Sequence, residues 1–251
     1  MKRIGWLGLA GVWLAVTAAP AQAGLRTFIF NQDTYTERKG ELEVELYNDL
    51  NLTDLDNENT YDSKHQVELE YGITDQLQVA VYEVFTWDEG RRENWQHDQL
   101  MYELKYRLAE SGAWPVDVGL YTEYKNPNGP RDRRSDTWEN KLLLGKTIGG
   151  VRLVTNLTAQ KTINTHSDWQ LSYTVGASHA FTPRVIGFLE YKETLGGSHD
   201  VEWFAGNHAQ QLLPGIAIQT SDKSRVLFGP AIGLTGAAND IELKSIFQVE
   251  F

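Results

Sequence analysis

Residues 40–47 read GELEVELY, and this stretch decides the fold class. In an extended chain successive side chains point to opposite faces, so Leu42, Val44 and Leu46 share one face and Glu41, Glu43 and Glu45 share the other. A helix would scatter both sets around its circumference. The same alternation recurs downstream. Residues 66–71 set Val67, Leu69 and Tyr71 against Gln66, Glu68 and Glu70. Residues 100–108 set Leu100, Tyr102, Leu104, Tyr106 and Leu108 against Met101, Glu103, Lys105 and Arg107, and residues 169–178 repeat the pattern.

About twelve such segments follow one another, near residues 40–48, 64–72, 77–86, 99–108, 116–125, 138–148, 151–160, 169–180, 185–193, 209–219, 225–233 and 241–251. Most have the roughly 9–11 residues that a tilted strand needs to cross a bilayer. Two are irregular. Glu83 falls on the apolar face of its strand, which predicts a bulge or a rim position, and residues 226–233 are small or apolar on both faces.

The connections alternate in length. Residues 72–76, 109–115, 149–150, 181–184 and 221–224 are short, whereas 48–63, 87–98, 125–137 and 194–208 are long. Short turns at one end and longer loops at the other are the pattern of a bacterial barrel, and an even strand count puts both termini at the turn end. The expected fold is therefore all-β: a transmembrane antiparallel up-and-down β-barrel of about twelve strands over residues 40–251. The last strand alternates Ile241, Leu243, Ser245, Phe247, Val249 and Phe251 against Glu242, Lys244, Gln248 and Glu250, with Ile246 as an exception. A terminal strand that ends in phenylalanine resembles the signal read by the outer-membrane assembly machinery. Tyr47, Tyr71, Tyr106, Tyr124, Trp138, Trp169, Tyr191 and Phe251 lie near strand ends, where an aromatic girdle is expected.

The N-terminus reads as a secretory signal peptide, residues 1–23. Lys2 and Arg3 are the basic region, residues 4–17 an uncharged apolar run, and Ala21-Gln22-Ala23 a cleavage site before Gly24. The apolar run is shorter than the roughly 20 residues a spanning helix needs. Residues 24–39 are expected to form a periplasmic tail by default, or to enter the lumen as a plug anchored by Phe28, Ile29 and Phe30. The net charge of −11, or −13 without Lys2 and Arg3, argues against nucleic acid, which demands basic patches. The absence of cysteine removes disulfides, thiolate metal sites, a thiol nucleophile and a lipid-anchored N-terminus.

Four pieces carry a family resemblance: TYTERKGELEVELY (residues 34–47), VELEYGITDQLQVAVY (67–82), YELKYRL (102–108) and WENKLLLGKTIGGVRLVTNLTA (138–159). Their pattern resembles the small outer-membrane barrels of the transporter, or MetA-type phenol-degradation-pathway, group. The resemblance implies barrel and location and carries no catalytic residues.

If the apolar faces meet lipid, the lumen receives Glu41, Glu43, Glu45, Glu68, Glu70, Glu103, Glu123, Glu139 and Glu190, together with Lys105, Arg107, Lys141, Arg152 and Lys192. Such a set either fills the interior as a salt-bridged network or lines a polar, cation-tolerant pore. Twelve strands lie between barrels filled by side chains and the 16-strand porins, so size alone leaves both open. The expected function is a porin-like passive channel or transporter for small solutes in the Gram-negative outer membrane. Both termini would be periplasmic, and the protein a monomer among membrane lipids and lipopolysaccharide, with no cofactor or metal. The alternative is a structural or ligand-binding barrel acting through its outer loops.

A lipid hydrolase ranks third. Ser63 and His65 lie two apart, hence on one face, with Asp62 beside them, but there is no G-x-S-x-G elbow and no enzyme is expected. His199, Asp200, Glu202 and His208 share one loop at irregular spacing and read as surface.

Overall fold

The computed structural model describes residues 24–55, 61–88, 95–127, 135–163 and 166–251. The described residues form twelve strands: β1 (Leu42–Leu52), β2 (Tyr61–Thr74), β3 (Leu77–Asp88), β4 (Trp95–Arg107), β5 (Asp117–Pro127), β6 (Thr137–Ile148), β7 (Val151–Thr162), β8 (Gln170–Thr182), β9 (Val185–Gly197), β10 (Gln210–Ser221), β11 (Ser224–Gly233) and β12 (Ile241–Glu250). Each pairs antiparallel with its sequence neighbours, and β1 pairs with β12 to close the barrel. Leu46 lies opposite Phe247 across that seam, and the Phe251 amide donates to the Leu42 carbonyl at 2.8 Å. Closure leaves none of the described strands at an edge.

The wall is inverted relative to a water-soluble core. Leu42 and Leu69 are 38% and 44% exposed on the outside, while Glu43 and Glu68 are 1% and 0% exposed on the inside. Two-residue turns join β2 to β3, β6 to β7, β8 to β9 and β10 to β11, so one end of the barrel is a turn end and the other a loop end. Gly149 and Gly150 have φ of 56° and 82°, the backbone that the tightest hairpin requires and that glycine adopts without strain.

Several strands run past the limits that polarity suggests. β2 begins at Tyr61, β4 at Trp95, and β9 continues to Gly197. The extra residues mix polar side chains such as Asp62, Gln96, His97 and Thr194 with Tyr61, Trp95 and Leu195, so the alternation fades while the hydrogen-bonded ladder continues. The irregularity around Glu83 is a bulge between Val84 and Phe85, with Glu83 exposed on the outer face. Tyr47 departs from the girdle reading. It shares the inward parity of Glu43 and Glu45 and is 9% exposed, so it belongs to the interior.

Residues 24–39 run inside the barrel. Phe28 and Ile29 pack with Phe188, Leu213, Ala217, Leu227, Ala231 and Ile246, all on the inner wall of β9–β12. This lining accounts for the apolar inner face of residues 226–233 and for Ile246. An inward wall is polar where it meets charge or water and apolar where it receives Phe28.

Candidate functional site: the lumen and its N-terminal segment

The segment follows the inner wall around much of its circumference. It starts against β11 and β12, where Arg225 donates to the carbonyls of Leu25 and Arg26 at 2.8 and 2.9 Å and Gln248 donates to Arg26 O at 2.8 Å. Arg26 pairs with Glu45 at 3.2 Å. At β9 the Glu190 carboxylate accepts the backbone amides of Ile29, Phe30 and Asn31 at 2.7, 2.9 and 2.7 Å. Extended backbone has no internal partners, and a buried anion holding successive amides satisfies them. Thr174 on β8 donates to Asn31 Oδ1 at 2.7 Å, and Asn156 on β7 exchanges hydrogen bonds with the Gln32 backbone at 2.7 and 2.8 Å. Arg152 then grips Asp33 at 2.6 Å and Asp117 at 2.5 Å. Finally the Glu37 amide donates to Gln78 on β3 at 2.9 Å, and the Thr36 hydroxyl to Asp75 O at 2.9 Å.

Gly176 lets the chain lie this close. A methyl group on it would sit 2.9 Å from Asn31 Nδ2 and 2.9 Å from Phe28 Cε1.

The inward charges separate into two layers. Toward the turn end, Glu43, Glu45, Glu68, Glu70 and Glu103 are all buried, with Lys105 and Arg26 among them. Tyrosine hydroxyls supply donors there: Tyr47 bonds Glu45 and, at 2.7 Å, Glu68, and Tyr82 bonds Glu103. Carboxylate oxygens of Glu37, Glu43 and Glu70 converge within 4.8 Å, as do those of Glu45, Glu68 and Glu70. These two trios are where the described residues would accommodate a hard cation. One oxygen each of Glu37, Glu43, Glu68 and Glu103 is buried without a hydrogen-bond partner. Burial first, and then the neighbouring Glu70 charge, push the Glu37 carboxyl up to about 8. A cavity of about 30 Å³ lies between the segment and Glu43, Glu45, Glu70 and Lys105, room for one or two waters.

Toward the loop end acids and bases pair. Lys125 bridges Glu123 and Glu139 at 2.9 Å each, Lys141 meets Glu139 at 2.8 Å, and Lys244 meets Asp49 at 2.8 Å and Glu242 at 3.0 Å. Lys192 lies 5.3 Å from the centre of the Phe30 ring. A second opening, about 290 Å³, is lined by Gln99, Pro127, Ser135, Thr137 and Thr162.

Of the lumen residues named from sequence, Glu43, Glu45, Glu68, Glu70, Glu103, Lys105, Glu123, Glu139, Arg152 and Glu190 are buried inside. Lys141 and Lys192 are half-buried there. Glu41 and Arg107 sit at the turn-end rim, paired with Arg38 at 3.8 Å and Glu110 at 2.8 Å. Sequence reasoning did not single out Arg225, Gln248, Asn156, Lys125, Glu242 or Lys244 as lumen groups. Strand parity alone would have found them, since each shares the inward parity of its strand. The loop histidines do not assemble: His199 is an exposed partner of Asp168 at 3.6 Å.

A closed antiparallel barrel with an apolar outside and a charged inside is now in view. The fold is that of an outer-membrane β-barrel. It is similar to the crystal structure of the COG4313 outer membrane channel from Pseudomonas putida F1, with a TM-score of 0.60 and 14% identity over 89% of this chain and 100% of that one. It is also similar to the KdgM porin in complex with disordered oligogalacturonate, with a TM-score of 0.55 and 6% identity over 83% of this chain and 98% of that one. No family model and no curated protein matches the sequence.

Proposed function

We propose that the protein is an outer-membrane channel for small solutes whose own N-terminal segment obstructs the lumen and gates it. The observation that carries this reading is the anchoring of Ile29, Phe30 and Asn31 on Glu190, near the middle of β9, with further contacts on β3, β7, β8, β11 and β12. An obstruction held by hydrogen bonds, by the Arg26–Glu45 and Asp33–Arg152 ion pairs and by the Phe28–Ile29 apolar anchor can leave without unfolding the barrel, because the wall's own ladder is independent of it. The channels among the similar folds, and the sequence resemblance to the transporter and MetA-type group, support the same reading.

In this account residues 1–23 direct export and are removed, both termini face the periplasm, and Phe251 presents the assembly signal. The barrel stands as a monomer among phospholipid and lipopolysaccharide. The acidic layer favours cations once the segment moves, and the paired layer near the loops admits either sign.

Single-channel recording of the refolded protein under a salt gradient tests this. Discrete openings with cation preference are expected, and charge reversal at Glu43 or Glu68 should reduce that preference. An inserted barrel that never opens would exclude the channel and leave a structural or ligand-binding barrel.

A further inference from the structure

The outward faces of β1 and β2 are apolar or aromatic along most of their length, as Leu46, Leu50, Val67 and Leu69 illustrate. Three polar side chains interrupt them together: Asn48, Ser63 and His65. Outward parity places all three on the membrane side of the wall, toward the loop end. The register sets Asn48 directly opposite His65 and Leu50 opposite Ser63. Ser63 Oγ lies 3.1 Å from His65 Nε2, and His65 Nδ1 lies 2.9 Å from Asn48 Oδ1. The His65 ring also packs against Trp95, with centroids 5.0 Å apart.

Two neighbouring polar groups on an apolar wall could satisfy one another as a pair. Here the order is different: a hydroxyl, an imidazole between two partners, and an amide oxygen. With Asn48 Oδ1 accepting from Nδ1–H, the imidazole is held in the tautomer whose Nε2 lone pair faces the serine hydroxyl. A nucleophile, a base and a group that orients the base, each within hydrogen-bond reach, are the geometric signature of an activated serine. Asp62, the acid beside them in sequence, takes no part, because it has the opposite parity and accepts from Asn51 at 2.6 Å.

We propose that Ser63, His65 and Asn48 form an acyl-hydrolase site on the outer wall of the barrel, acting on long-chain fatty-acid esters of membrane lipids. Ser63 Oγ attacks the ester carbonyl carbon while His65 Nε2 takes the hydroxyl proton. The tetrahedral adduct collapses, the C–O bond to the lipid alcohol breaks, and His65 returns its proton to that alcohol. Water, deprotonated by His65, then hydrolyses the acyl-Ser63 ester and releases the fatty acid, with the proton passing back to Ser63 Oγ. Asn48 is a positioning residue. The wall location suits this substrate, since an ester at the boundary of headgroups and acyl chains meets the barrel on this face. The inference rests on the membrane location proposed above and is independent of the channel.

The test reads the nucleophile first. Full-length processed protein in lipid vesicles is treated with a long-chain alkyl sulfonyl fluoride, and the adduct is mapped by mass spectrometry. The expected result is a single adduct on Ser63, formed at least about 100-fold more slowly in His65→Ala, the loss that removing a general base brings. Asn48→Ala should slow it, and Asn48→Asp, which keeps the acceptor, should restore it. Fatty-acid release is then measured from phosphatidylethanolamine vesicles and, separately, from lipopolysaccharide. Release in either arm, lost in Ser63→Ala, identifies the source. A Ser63 labelled no faster than other exposed serines, or equally fast in His65→Ala, overturns the proposal, as does release from neither lipid. A protein that does not insert into vesicles overturns the membrane location instead.

Discussion

Phe28 of the N-terminal segment meets Phe188 of the barrel wall edge to face, with ring centroids 6.1 Å apart and an interplanar angle of 66°. Phe28 is fully buried among wall residues. Truncating a buried phenylalanine typically costs about 3–5 kcal/mol. Phe28→Ala should therefore weaken docking of the segment by about two to three and a half orders of magnitude, at 1.4 kcal/mol per tenfold. The barrel's resistance to thermal unfolding in detergent should hold while open-channel time rises. Both are read on one preparation, by heat-modified gel mobility and by single-channel recording.

Glu190 should matter more than any single apolar contact. Glu190→Ala orphans the buried amides of Ile29 and Asn31 and the partly buried amide of Phe30, each having lost a hydrogen bond to a charged acceptor that is worth about 1.5–3 kcal/mol. Glu190→Gln keeps an acceptor and should lose less. Limited proteolysis checks the order: cleavage within residues 24–39 should be fastest in Glu190→Ala, intermediate in Glu190→Gln and slowest in the parent.

Gly176→Leu places a side chain where Phe28 and Asn31 now lie, since even a Cβ would stand 2.9 Å from both. The wall can accept leucine only if the segment moves. The expected phenotype is a folded barrel with raised solute leak, measured by liposome swelling. Unchanged leak from a folded barrel would place the segment elsewhere.

Glu37 makes the closed state depend on pH. Its carboxyl is pushed up to about 8 by burial and by Glu70, with Glu41 and Glu250 adding to the effect and Lys105 opposing it. A carboxyl whose folded pKa is raised stabilises the docked state below its unfolded value. That stability is lost as pH rises through the raised value. Docking should weaken progressively from about pH 5 upward and level off once the pH passes about 8. Recording the channel from pH 5 to 9 should show open time that rises to about pH 8 and then levels off in the parent, and a flatter response in Glu37→Gln.

The wall was legible because its signal is periodic: parity assigns Glu43, Glu68 and Glu103 to the inside without coordinates. The path of residues 24–39 was not. Their contacts run to Glu190, Asn156 and Arg225, more than a hundred residues away, and local pattern carries no such pairing. Hints were present in the apolar inner face of residues 226–233 and in Ile246, which make sense once Phe28 lies against them. Likewise the spacing of Ser63 and His65 was visible, but Asn48 joins them only through the β1–β2 register. The girdle reading of Tyr47 failed because closeness to a strand end was weighed above parity.

The central claim is that the segment gates the lumen, and a reversible tether tests it most directly. The chain has no cysteine, and Thr174 donates to Asn31 Oδ1 at 2.7 Å, so the double variant Asn31→Cys with Thr174→Cys can be bridged between segment and wall by a short bis-methanethiosulfonate reagent, whose two disulfides a reductant cleaves. Single-channel conductance is recorded bridged and then reduced in the same bilayer. The account predicts closure when bridged and recovered openings on reduction. Equal conductance in the two states, with the bridge verified by mass, would contradict it.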